Sequence, residues 1–153
     1  FNMGPDQFGA LGSILAIGSL SGALLAARLE KQRTTQNILR GAGLFGILLI
    51  LSAYLPSPLL FAIMLPIMGA TALLTLISAN TYVQGNTSNA LRGRVMGIYL
   101  MIFMGGTPIG SPLIGFVAAA VGIRLTIVLC GLVLLIAALI IRRRFKDLNP
   151  VTV

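Results

Sequence analysis

Apolar runs such as LFGILLILSAYL (44–55) and TIVLCGLVLLIAALII (126–141) carry no charged side chain and are interrupted only by basic clusters or turn residues. A chain patterned in this way cannot cover itself with polar surface. Apolar residues make up 57% and charged residues 9% of its 153 positions, with a mean hydropathy of +0.99, whereas a soluble domain carries about 25% charged residues. Each crossing of a bilayer needs about 20 mostly apolar residues, so the chain has room for about five. A helix satisfies its own backbone groups in hydrocarbon, and the fold class expected is therefore all-α integral membrane.

Apolar runs and breakers predict helices at about 8–29, 37–55, 58–82, 92–121 and 124–142. Thr34 and Thr35 can cap the second helix. Ser57 followed by Pro58 supplies a cap and then a first-turn proline for the third. QGNTSNA, from Gln84 to Ala90, is turn-forming, and Gly122 breaks the chain before the last helix. The connection Pro56 to Pro58 is so short that the second and third helices must be antiparallel neighbours.

Direction follows from the basic residues, which accumulate in cytoplasmic loops. Arg28, Lys31, Arg33 and Arg40 flank the first connection, Arg92 and Arg94 the third, and Arg142, Arg143, Arg144 and Lys146 follow the fifth helix. Only Arg124 falls on the other side. The N-terminal end is then expected outside and the C-terminus in the cytoplasm. The basic tail reads as a topology anchor, with a specific lipid or partner site as its alternative.

Several function classes lose their footing. The net charge of +8 could suggest nucleic acid, but the basic residues sit between apolar runs instead of forming a stripe with interleaved aromatics. There is no His, and Asp6, Glu30 and Asp147 are the only acids, so neither a metal cluster nor a nucleophile-base pair can be assembled. Neither catalytic residues nor a cofactor are expected. Cys130 lies in an apolar run and reads as a small hydrophobe. The first residues, FNMGPDQFGA, lack the basic region of a signal peptide and resemble the interior of a longer chain.

The second and fifth helices are aliphatic almost all round, which suits a peripheral place in lipid. The first, third and fourth carry Gly, Ser, Thr and Pro at depth, the composition of helices that pack closely or line a cavity. Gly18 and Gly22 form a GxxxG pair that lets another backbone approach. GGTPIGSPLIG holds Gly105, Gly106, Pro108, Gly110 and Pro112 at about mid-membrane, as a packing kink or a hinge. Thr71, Thr75, Ser78 and Tyr82 share one face of the third helix, and Tyr99, Phe103, Gly106 and Gly110 one face of the fourth. The hydroxyls could satisfy themselves on the preceding turn, or Thr71, Thr75, Ser78, Tyr99 and Thr107 could line a substrate cavity. No ionisable side chain lies deep in any span, although proton coupling usually requires one.

GALLAARLEKQR (22–33) and above all LRGRVMGIYLMIFMGGTPIGSPLIG (91–115) carry a resemblance to the major facilitator superfamily. Within it, the chain resembles the branch of enterobactin-exporter-like proteins, also called transmembrane secretion effectors. The resemblance implies that the chain is the C-terminal part of a twelve-helix fold, helices eight to twelve, with the preceding helices of the same chain as its partner. The superfamily's cytoplasmic loop pattern G-x-x-x-D-[RK]-x-G-[RK]-[RK] is worn here: Gly22 matches its first glycine, alanines occupy the region of the acid, and Leu29 stands at the second glycine. Arg28, Lys31 and Arg33, with Arg92 and Arg94 of the third connection, keep the charge of a cytoplasmic gate. GALLAAR and GFVAAA, at the ends of the first and fourth helices, form a faint echo of inverted repeats.

The resemblance further implies export of small organic molecules across the plasma membrane by alternating access, coupled to proton exchange. Lipid or lysophospholipid translocation is an alternative within the superfamily. A membrane subunit that acts by helix packing alone is the alternative outside it.

Overall fold

The structure, a computed structural model, describes residues 4–29 and 34–148. Five helices follow one another: α1 Pro5–Arg28, α2 Thr35–Ala53, α3 Pro58–Gly85, α4 Asn89–Val121 and α5 Ile123–Leu148. All five are long and apolar enough to cross a membrane. The chain is an all-α, multi-pass membrane protein.

Local chemistry fixes the ends. Pro5 and Pro58 open α1 and α3, where a missing N–H costs nothing. The Ser57 hydroxyl accepts from the Leu60 N–H at 3.3 Å, satisfying one of the first-turn donors. Thr34 takes the cap position of α2, but its side chain makes no cap bond. Gly122 joins α4 to α5 alone, at φ 87°, a backbone conformation that glycine adopts without steric cost.

The helices α3, α4 and α5 outrun the apolar pattern. The QGNTSNA stretch expected as a loop contributes to both neighbours, leaving only Asn86 to Ser88 between α3 and α4. Asn86 Nδ2 and Thr87 Oγ1 donate to the carbonyls of Tyr82 and Val83 at 2.9 and 2.6 Å, closing the last turn of α3. The fifth helix continues six residues past the expected end at 142, to Leu148. Hydropathy marks where the hydrocarbon ends, and arginine and lysine are good helix formers in water.

Packing is pairwise. The helix α1 lies along α3, and α2 lies along both α3 and α5. Close approach here depends on small residues: the buried apolar residues include Ala26, Ala53 and Ala138 beside Leu65 and Met68. Gly46 of α2 meets Gly131 of α5, where a Cβ on Gly131 would lie 2.7 Å from the Gly46 carbonyl oxygen. The two helices expected to be surrounded mostly by lipid therefore share a glycine seam. The most exposed helix is α4, which meets α5 across Gly122 and buries no residue.

Candidate substrate-pathway surfaces

In the seam between α1 and α3, a Cβ on Gly18 would overlap the backbone of Pro66, and one on Gly22 that of Ala70. Gly69 answers from the other side, where a Cβ would lie 2.6 Å from the Leu15 carbonyl oxygen and 2.9 Å from the Ser19 nitrogen. Backbones this close trade side-chain volume for dispersion contact along the whole crossing. Pro66 and Gly69 escaped the sequence reading. Their signal was a proline followed three and four residues later by Gly69 and Ala70, a small-residue face opposite the Gly18–Gly22 pair.

The polar face of α3 is largely self-satisfied. Thr71 is buried, its hydroxyl donating to the Ile67 carbonyl at 2.7 Å, and the Thr75 hydroxyl donates to the Thr71 carbonyl at 2.7 Å. Thr75 also lies against Gly41 of α2. With Ser78, it lines a cavity of about 310 Å³ bounded by Leu29, Asn37, Gly41 and Leu74, between the end of α1, the start of α2 and α3. Arg28 and Arg40 neighbour this lining in sequence. The cavity is polar enough, with two hydroxyls and an amide, to hold a polar group or water.

The set on α4 stands apart. Tyr99 is half-buried and its ring stacks on Phe103, with centroids 6.3 Å apart and planes 4° from parallel. Thr107 is exposed, and a Cβ at Gly105, Gly106 or Gly110 would meet nothing within 4 Å. Pro108 and Pro112 lie inside the helix, which runs unbroken from Asn89 to Val121. Thr75 and Ser78 thus come together in one cavity, while Tyr99 and Thr107 belong to a separate, uncovered face.

The basic residues of the expected gate are at the helix ends. Arg28 closes the last turn of α1, and Arg92 and Arg94 stand exposed in the first turns of α4. Arg92 Nη2 donates to the Thr87 carbonyl at 3.5 Å. Lys31 and Arg33 lie outside the described residues. Cys130 is half-buried in an almost wholly apolar cleft of about 620 Å³ between α4 and α5, walled by Leu113, Val117, Leu129 and Val133. Among the described residues, no group of three or more His, Cys, Asp or Glu side chains could hold a metal ion.

A family described as transmembrane secretion effector matches residues 1–150. No curated protein and no solved structure matches the chain.

Proposed function

We propose, from the premise that the chain belongs to the transmembrane secretion effectors, transporters of the major facilitator type, that it forms the C-terminal part of an exporter of small organic molecules. The uncovered face of α4 carries this reading. Glycine and proline at membrane depth persist where neighbouring protein or a cavity surrounds the backbone, yet no residue of α4 is fully buried among the other four helices. That face is where the preceding helices of the transporter, and the solute, would meet this half. Tyr99 and Thr107 offer hydroxyls and Phe103 an apolar ring, a combination suited to amphipathic organic molecules.

Alternating access assigns the helices two roles. The seam of α1 and α3 forms a rigid wall, and α4, which carries Pro108 and Pro112 within its length, changes shape as the halves rock. Thr75 and Ser78 give solute a polar contact at the basic end, with Thr71 buried behind them. Proton exchange supplies the driving force, and its carrier lies outside these spans, because Asp6, Glu30 and Asp147 all stand near helix ends or in connections. The ten basic residues on one side orient that side to the cytoplasm of a plasma membrane.

Inside-out vesicles bearing the full transporter test this reading. On acidification of the lumen they should accumulate amphipathic dyes, and collapse of the pH gradient should release them. Dye movement indifferent to the gradient would refute proton-driven export. A second reading, lysophospholipid translocation, draws on the apolar cleft between α4 and α5. Vesicles that flip a fluorescent lysophospholipid but exclude soluble dyes would select it.

A further inference from the structure

We propose that the groove between α2 and α5 binds an anionic phospholipid of the leaflet at the basic ends of the helices, separately from any transported solute. Between the Gly46–Gly131 contact and those basic ends, the two helices leave a hollow of about 280 Å³. Gly43 and Ala138 form its floor, and Leu39, Leu44, Ile47, Leu135 and Leu139 its walls. A Cβ at Gly43 would be 3.8 Å from Leu135 Cδ2, so the missing side chain leaves usable space and not a clash. Arg40 and Arg142, both exposed, complete the lining at the end where α2 begins its course and α5 leaves the apolar run.

The lining divides in the same way as a phospholipid. From Leu39 to Ile47 the wall extends about 12 Å along α2, a length over which an acyl chain can lie against branched aliphatic side chains. At one end, Arg40 and Arg142 both line the hollow, and guanidinium recognises phosphate oxygens with paired, charge-assisted hydrogen bonds. A wholly apolar occupant would leave the arginines idle. A soluble anion would leave the leucine walls in contact with water.

Charge selects an anionic headgroup over a zwitterionic one. These 153 residues carry 11 basic residues against 3 acidic ones, so their own acids cannot neutralise most of the guanidinium groups. The partner of Arg40 is neutral: its Nη1 donates to Asn37 Oδ1 at 3.3 Å. Basic pockets between transmembrane helices at the headgroup level bind acidic lipids by this chemistry.

Native mass spectrometry of the full-length transporter, titrated with phosphatidylglycerol or with phosphatidylcholine, tests the site. Wild-type protein should retain phosphatidylglycerol at least about tenfold more tightly than phosphatidylcholine, and the pair Arg40→Gln/Arg142→Gln should weaken it by about 30-fold. Gly43→Leu, which fills the floor and leaves both arginines, should also release the lipid. Leu44→Trp closes the groove from its exposed wall and serves the same purpose if the glycine variant does not fold. The pair Arg143→Gln/Arg144→Gln, outside the groove, should change affinity by less than about threefold. Equal losses in the two arginine pairs would mean a diffuse basic surface and overturn the proposal. So would equal retention of the two lipids, indifference to both groove-filling variants, or displacement of the lipid by free glycerol phosphate.

Discussion

Gly18 and Gly106 are both glycines deep in a membrane helix, yet their surroundings are opposite. A methyl group at Gly18 would run into the backbone of Pro66, whereas one at Gly106 would meet nothing within 4 Å. The difference separates two kinds of region: a paired scaffold whose small residues are already used, and a helix whose mid-span glycines meet no neighbour among the described residues. In lipid there is no hydrophobic drive to bring helices together. Small residues therefore mark where a close approach occurs but not which partner makes it.

The largest expected effect lies in the seam. Gly18→Leu should lower the stability of the bundle by about 3 kcal/mol, the upper part of the usual range for overpacking, read as a fall in melting temperature by circular dichroism. An unchanged melting temperature would dissolve the contrast with α4. Next comes the second seam. Gly131→Val must displace Gly46 or Ile50, since a Cβ there lies 2.7 Å from both the Gly46 oxygen and Ile50 Cγ1, and a loss of about 2 kcal/mol should follow. If melting were indifferent to this change, α2 and α5 would be held by lipid alone.

Smaller effects sharpen the boundary between scaffold and pathway. Ser57→Ala removes the side chain that accepts from Leu60 and should cost about 1 kcal/mol, with no change in the preference among transported solutes. Thr75→Val should cost about 0.6 kcal/mol or less, because its hydroxyl bonds only its own helix among the described residues. A change in solute preference at unchanged melting temperature would assign the cavity of Thr75 and Ser78 to the pathway. Loss of transport in step with stability would assign it to packing.

Much of the fold was legible because the membrane imposes a length and a polarity on every span. Five helices and their turns follow from runs such as 126–141 and from Ser57–Pro58, whose cap the structure contains. The pairing of α2 with α5 was hidden, since leucine and isoleucine serve equally well against lipid or protein and only Gly46 and Gly131 betray the contact. The length of α5 was hidden for a different reason. Charged residues end a hydrophobic run, but Arg142 to Arg144 do not end a helix. At the candidate site, periodicity placed Thr71, Thr75 and Ser78 on one face of α3. It carried no information about the neighbour on that face, which proves to be the start of α2 rather than α4.

Whether the open face of α4 borders a solute pathway or lipid is decided by its access to water. In a Cys130→Ser background of the full transporter, a cysteine replacing Thr107 should react with a membrane-impermeant thiol reagent. Transported solute should protect it. A cysteine replacing Ile136, which is 54% exposed on α5 and is expected to face lipid, should stay unreactive. Labelling of Thr107→Cys with solute protection is the predicted result. A Thr107→Cys variant as inert as Ile136→Cys would place α4 against lipid and contradict its assignment to the pathway.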